Sequence, residues 1–420
     1  MNKPLWTAAR PGGGSGTSSL LALFLADFIV RTSYQIGKAP VLPVFAHGLG
    51  ASPLLLGAIV SVSTATGFFL KPLFGLLSDY RGRWIWLMIG TTLFTLVPAL
   101  YLFVKTPSDL FALRILHGLA TAVYGPVTLA YVASWRRNKA AEAFGWFGLA
   151  RTLSYVLGPL IGGAALTFAA PEAIYAATCF LSALAFLPTL YVRYSDHVAK
   201  PSTWSLTEAI RMVLTCRPLF VLAVIEGTTY IAIYAVKAFL PVMALIAGYQ
   251  PIEIGTFLAL QEATNAILRP PMGRLADRTR PGLPLLLGLA TLAAGLLVLS
   301  VGGPTPSIML AVAVLIGAGQ GAFGPATLSL VSIATPPQHL GLAFGSIGAI
   351  RNAGKIAGPI IAGALVSTLS YQAAFASIAS IPLLLALWIL VSPRHSPSAL
   401  EYSAVTVKGS GPPQGKSPGN

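Results

Sequence analysis

Charged side chains stand where charge is costly. Inside runs otherwise apolar enough to cross a bilayer the chain places Asp27, Arg31, Arg114, Arg151, Glu226, Lys237, Glu262, Arg351 and Lys355, with His117 beside Arg114. An ionisable group at that depth needs a protein partner or a water-filled path, and it marks a route for ions or substrate. Asp27 and Arg31 lie four apart, on one helix face, and can pair. Asp27 is then either a proton carrier or a fixed counter-charge to Arg31. Glu226 has no basic residue three or four positions away, so it is the stronger proton-carrier candidate unless another helix supplies a partner. Glu262, with Gln261 and Asn265 nearby, could accept from Arg151 or Arg351 across an interface, as could carbonyls freed near Gly-Pro steps. Arg151 and Arg351 either gate a path or touch substrate directly; Arg31, Lys237 and Lys355 join them as cavity or gate candidates. Of the nine charged positions six are basic and three acidic, which favours a negative ligand unless charge elsewhere offsets it.

Catalytic chemistry has little support. Gly348 to Lys355 looks like a phosphate loop, but five residues separate its glycines instead of four, and Ile356 stands where Ser or Thr is needed. It also lies inside an apolar span. There is no His-Glu-x-x-His, no nucleophile beside a base, and no metal-ligand spacing around Cys179 and Cys216, which read as packing residues. No enzyme, cofactor or metal is expected.

The elements that must hold these charges are membrane helices. The 420 residues are 55% hydrophobic and 9% charged, with mean hydropathy +0.76, whereas soluble domains carry about 25% charged residues. The net charge of +15 finds no soluble basic face on which to bind nucleic acid. A span needs about 20 mostly apolar residues. Twelve such runs lie near 19–45, 52–76, 84–104, 109–134, 142–168, 172–193, 218–247, 252–275, 283–302, 306–333, 340–368 and 371–392. The connection 194–217 is the long one, and splits them six and six. Within it Ser205-x-x-Glu208 could cap a short helix with Leu206, Ile210, Val213 and Leu214 on one face, lying on the membrane surface; a plain polar linker is the other reading.

The halves repeat. Phe144–Gly163, FGWFGLARTLSYVLGPLIGG, returns as Phe344–Gly363, FGSIGAIRNAGKIAGPIIAG, with eight of twenty positions identical, Arg151 on Arg351 among them. Leu42-Pro43-Val44 returns as Leu240-Pro241-Val242, and Gly125-Pro126 as Gly324-Pro325, so offsets of 198 to 200 run through the chain. Duplicated halves meeting around a midplane site are a transporter plan. Basic residues collect in the connections after even-numbered spans (Arg81, Arg83, Arg136, Arg137, Lys139, Arg193, Lys200, Arg274, Arg278, Arg280) and in the tails, against little beyond Lys105 opposite. That bias puts both termini in the cytoplasm. The basic, Gly/Ser-rich start is expected to be a short disordered tail before a retained first helix, since Asp27 and Arg31 interrupt any signal-peptide core.

Several motifs carry a resemblance. Gly75-Leu-Leu-Ser-Asp79-Tyr-Arg81-Gly82-Arg83 resembles the loop signature of the major facilitator superfamily, echoed by Gly273-Arg-Leu-Ala-Asp277-Arg278. There glycine lets two helices touch, the Asp can hold a partner across the half-interface, and the arginines anchor the loop at the surface. Arg114-x-x-His117-Gly118 is similar to the family's fourth-span motif linked to proton transfer, which adds Arg114 and His117 to Asp27 and Glu226 as proton-coupling candidates. Gly158-Pro159-x-x-Gly162-Gly163 resembles the family's antiporter motif, and Gly358-Pro359 with Gly363 echoes it. The resemblance covers about 19–392 and is closest to the twelve-span drug/metabolite proton antiporters. It implies an all-α integral membrane protein: a tail 1–18, a six-helix bundle 19–193, a cytoplasmic linker 194–217, a pseudo-symmetric second bundle 218–392 and a disordered tail 393–420. It also implies a monomer in the cell membrane, exporting a small organic molecule against protons. Uptake or exchange of an organic anion is the alternative, and a non-transporting membrane sensor or assembly protein the reading from another class.

Overall fold

The computed structural model describes residues 16–135, 140–192, 206–279, 281–335 and 339–391, with side chains for all of these but 16–18, 79–81, 133–135, 140–144, 206–210 and 341. Residues 1–15 of the expected N-terminal tail, the expected C-terminal tail, the side chains of Asp79 and Arg81, and the basic residues Arg136, Arg137, Lys139, Arg193, Lys200 and Arg280 lie outside that set, while 16–18, expected in the tail, already form the first helix. Among the described residues the fold is all helix. The first span is α1 (Gly16–Ile36), a kinked π-turn (Gly37–Val41) and α2 (Leu42–Gly48). Then come α3 (Pro53–Arg81), α4 (Arg83–Ala99), α5 (Pro107–Trp135), α6 (Ala140–Leu166), and a sixth span broken into α7 (Pro171–Ala183) and α8 (Phe186–Tyr191). After the connecting α9 (Leu206–Thr215), the second set is α10 (Arg217–Ile246), α11 (Pro251–Arg278), α12 (Gly282–Gly302), α13 (Pro306–Ala334), α14 (Leu340–Thr368) and α15 (Tyr371–Val391).

Ten spans qualify as membrane-crossing on length and hydropathy alone. The other two of the twelve are α11 and α14, long helices whose apolar runs are interrupted by Glu262 and Arg269, and by Arg351 and Lys355. They fall short because they carry the charges. Proline opens α3, α7, α11 and α13, where its fixed φ suits the first turn and its missing N–H has no bond to lose. On α11 the start is reinforced by Gln250, whose N–H donates to Glu253 at 2.7 Å. α9 is a helix, with Val213 buried and Leu214 exposed; Ser205, its expected cap, and the side chains of Leu206, Glu208 and Ile210 lie outside the described residues.

The two six-helix bundles pack by the same plan. α1 lies on α6 and α5 on α3 and α4; α10 lies on α14 and α13 on α11 and α12. The halves meet where α3 crosses α14 and α6 crosses α11. Glycine makes that seam. A Cβ on Gly163 would stand 2.5 Å from the Pro251 carbonyl, and one on Gly255 2.5 Å from the Pro159 carbonyl. Gly363 rests equally closely on the Pro53 backbone, and Ser61 Oγ donates across to the Ile356 carbonyl at 2.7 Å. Close backbone approach supplies the dispersion that lipid, as apolar as leucine, cannot drive. At the opposite ends of α6 and α14, by contrast, Gly145, Gly148, Gly345 and Gly348 have nothing within 4 Å of where a Cβ would sit. Among the described residues the seam is closed at one end, and at the other, where α6 and α14 begin, these glycines stand parted from any neighbour.

Candidate functional site

Away from the helix ends the spans hold three carboxylates among the described residues, Asp27, Glu226 and Glu262, and each is held inside its own half. Asp27 on α1 is fully buried and takes two guanidiniums. Arg31 Nε donates at 3.1 Å; Arg151, arriving from α6, donates through Nε at 3.0 Å and Nη2 at 3.3 Å. The Nη2 of Arg151 also reaches Thr128 Oγ1 on α5 at 3.2 Å, and its guanidinium caps the Phe147 ring at 4.1 Å. Glu226 on α10 is equally buried and takes one guanidinium, that of Arg351 on α14, through Nε at 2.9 Å and Nη2 at 3.1 Å. Arg351 also lies over the Tyr230 ring, 5.3 Å from its centroid. Two-point contacts of this kind are the strong form of the arginine–carboxylate bond.

The expected cross-interface role of Glu262 is overturned. It pairs with Lys237, from α10, and accepts from Asn265 Nδ2 at 3.4 Å, all in the second half. Among the described residues no ion pair bridges the halves. Glu226, expected to stand without a basic neighbour on its own helix, finds one 125 residues downstream.

Arg114 and His117 are not brought to Asp27 or Glu226. They sit in a separate aromatic nest in which the Tyr101 hydroxyl meets His117 Nδ1 at 3.0 Å and the Arg114 guanidinium lies 6.0 Å from the Tyr34 ring centroid. Arg114 is 1% exposed, and its Nε and Nη2 meet no acceptor among the described residues. Lys355 has no carboxylate either. Its ammonium stands 5.1 Å from the Tyr230 ring and 5.6 Å from the Tyr234 ring.

The loop signature behaves alike in both halves: Gly75 faces Pro126 and Gly273 faces Pro325, each at 3.7 Å from the would-be Cβ. Gly82 breaks the chain between α3 and α4 with φ +87°. Arg83 departs from the expected surface anchor, being buried, with Nη1 donating to the Ala130 carbonyl at 3.0 Å. Asp277 and Arg278 are exposed, and among the described residues Asp277 holds nothing across the interface. In the antiporter-like motif, Gly158 and Gly162 let α6 lie on the Gln35 and Ile36 backbone, and Gly358 lets α14 lie on the Ile231 carbonyl, 2.5 Å from the would-be Cβ. Pro159 and Pro359 sit inside these helices, and their carbonyls face Gly255 and Gly57 of the other half.

Lys38 and the tyrosines were not singled out from the sequence. Lys38 stands 5.4 Å from the Tyr34 ring and, across the halves, 5.7 Å from that of Tyr234. The repeat carried a signal: Lys38 lies 199 positions before Lys237, as Asp27 lies 199 before Glu226.

The family model described as Major Facilitator Superfamily matches residues 23–250 and 222–408. The chain is 25% identical over 395 residues to the "Multi-drug resistance efflux pump PmrA homolog" of Lactococcus lactis subsp. lactis (strain IL1403), covering 90% of this chain and 95% of that protein. It is 24% identical over 369 residues to the "Multidrug resistance protein MdtG" of Rahnella sp. (strain Y9602), covering 85% and 89%. In fold it is similar to the nucleoside transporter NupG, with TM-score 0.72 at 14% identity over 89% of this chain and 98% of that one. A bacterial homolog of the human lysosomal transporter Spinster superposes with TM-score 0.69 at 15% identity, over 94% and 99%. With a family match running through both repeated halves, the chain belongs to the Major Facilitator Superfamily.

Proposed function

We propose that the protein is a proton-coupled exporter of a small organic molecule, working by alternating access in the cell membrane as a monomer with both termini cytoplasmic. The efflux names of its relatives support the direction, and the positive-inside bias supports the orientation. On that orientation the parted end of the seam faces the cytoplasm, where an exported molecule enters.

One observation carries the coupling: the two equivalent pairs are unequally held. Asp27 is shared by Arg31 and Arg151, but at the repeat position of Arg31, 199 residues on, stands Tyr230. Glu226 therefore has a single guanidinium to release. A buried carboxylate stripped of its partner is strongly disfavoured as an anion, so parting from Arg351 and taking a proton go together. Glu226 is the proton carrier in this reading and Asp27 the fixed counter-charge, with Arg114 and His117 outside the proton step.

Flux into proteoliposomes from a substrate panel, with and without an imposed pH gradient, tests the proposal. Wild-type accumulation should follow the gradient, and Glu226→Gln should lose that response while still exchanging substrate down its own gradient. Wild-type flux indifferent to the gradient refutes proton coupling; Glu226→Gln flux that still follows it moves the proton elsewhere.

A further inference from the structure

Cations outnumber anions along the spans, and pairing does not remove the excess. Asp27, Glu226 and Glu262 are each engaged, by Arg31 and Arg151, by Arg351 and by Lys237 respectively. Lys38, Lys71, Arg114, Arg269 and Lys355 are left with no carboxylate among the described residues, and of these Lys38 and Lys355 are partly buried against shared tyrosines. These two lysines come from opposite halves and converge on one ring. The Tyr234 centroid has Lys38 Nζ at 5.7 Å, Lys355 Nζ at 5.6 Å and Lys237 Nζ at 5.3 Å. Tyr34 backs Lys38 at 5.4 Å and Tyr230 backs Lys355 at 5.1 Å.

A ring face attracts an ammonium, but weakly beside a charge-assisted hydrogen bond. Like charges crowded in a partly dry site repel, and each lysine keeps up to three N–H donors for which an aromatic face is a poor acceptor. The aromatic walls supply apolar area at the same place. The structure therefore supplies donors, positive potential and stacking surface, and among the described residues no carboxylate to answer Lys38 and Lys355.

We propose that the Lys38–Tyr234–Lys355 cluster is the binding site for an aromatic organic anion, whose carboxylate or equivalent oxyanion sits between the two lysines and whose ring packs on Tyr34, Tyr230 or Tyr234. The proposal rests on the transporter reading above and names its substrate class. Because the two lysines belong to different halves, the anion ties the halves together while bound.

Binding is measured without any proton gradient, by titration calorimetry on the full-length protein in nanodiscs. The probes share one ring system and differ in charge: naphthalene-2-carboxylate, naphthalene-2-carboxamide and (2-naphthylmethyl)trimethylammonium. The carboxylate should bind at least about tenfold tighter than the amide, the scale of one charge-assisted hydrogen bond, and the cation weaker still. Lys38→Met and Lys355→Met should each lower carboxylate affinity about tenfold and leave amide affinity unchanged, and Lys38→Arg should restore most of it. Removing an unpaired cation should leave the melting temperature of the ligand-free protein unchanged or raise it. Equal binding of the three probes, wild-type carboxylate affinity in both methionine variants, or a fall in ligand-free melting temperature on substitution would overturn the anion site. Gradient-driven flux of some other substrate, with the same protein reconstituted into proteoliposomes, would then leave the transporter reading standing, and its absence would remove both.

Discussion

Replacing Glu226 by Gln removes the charge that holds Arg351 and leaves the guanidinium, which stays protonated at any accessible pH. Two hydrogen bonds, at 2.9 and 3.1 Å, weaken together. Breaking a buried pair from one side costs about 3–5 kcal/mol, because the survivor is left uncompensated. The Arg351 side chain is 27% exposed and rests on Tyr230, so it recovers some solvation, and the low end of that range, about 3 kcal/mol, is expected. For a bundle of this size that is a drop of roughly 6–12 °C in melting temperature. Adding Arg351→Gln removes the stranded charge and lets two amides face each other, so the double variant should recover about 2 kcal/mol or more. Each half carries one partly buried cysteine, Cys179 on α7 and Cys216 at the start of α10, so a thiol-reactive dye reads thermal unfolding, and Cys179→Ser or Cys216→Ser assigns it to a half. The loss should report first through Cys216. Losses that simply add in the double variant, within about 0.5 kcal/mol, would refute the reasoning, since independent sites behave that way.

Asp27→Asn strands two guanidiniums where Glu226→Gln strands one, so it should lower the melting temperature further, and Arg151→Gln should rescue it only in part because Arg31 remains. Gly163→Val has no room against the Pro251 carbonyl and the Gly255 backbone, so it should part the closed end of the seam, seen as raised accessibility of a cysteine introduced at buried Ala259, one turn along α11 from Gly255, to an aqueous maleimide added from that side. Arg351→Lys keeps the charge but loses the fork that grips both Glu226 oxygens, so pH-driven flux should fall with expression near wild type; Arg151→Lys should do less, because Arg31 still holds Asp27.

What could be read from the chain alone depended on how local the cause was. The spans follow from runs of apolar residues and their proline starts, and α14 matches its expected limits at both ends, 340 and 368. The Asp27–Arg31 pair follows from a four-residue spacing. The partners of Glu226 and Glu262 do not, because they come from packing: Lys237 stands 25 residues before Glu262, and Arg351 stands 125 after Glu226. Local spacing misled there, yet the repeat held the answer. Asp27 maps onto Glu226 and Arg151 onto Arg351, so a pair found in one half implies its counterpart in the other. Lys38 was missed for a related reason. Between Lys38 and the Leu42-Pro43-Val44 match the first half holds one residue more than the second does between Lys237 and Leu240, which shifts the offset from 199 to 198. The kink at Gly37–Val41, where Ala39 is extended at φ −152° and ψ 122°, is where the extra residue is taken up.

How the halves are joined bears on how they can move. Asp27 and Glu226 lock helices within a half, α1 to α6 and α10 to α14, and so does the Lys237–Glu262 pair, α10 to α11. Rocking one half against the other breaks none of them. What must change is a seam of backbone contacts at glycines, individually worth only fractions of a kcal/mol per atom pair, and hydrogen bonds such as that of Ser61 to Ile356. Such a seam can part and re-form without exposing an unpaired charge. The contacts that resist closer approach of the halves are of another kind: ammonium groups of both halves share the Tyr234 ring. Repulsion between them falls with separation and is cancelled by a negative ligand lying between. On the proposed reading this repulsion holds the two halves apart around the Tyr234 ring, and an anion that neutralises Lys38 and Lys355 removes the obstacle to closing the parted end. Proton uptake at Glu226 would act oppositely, because it frees the Arg351 guanidinium and adds a cation to the same space.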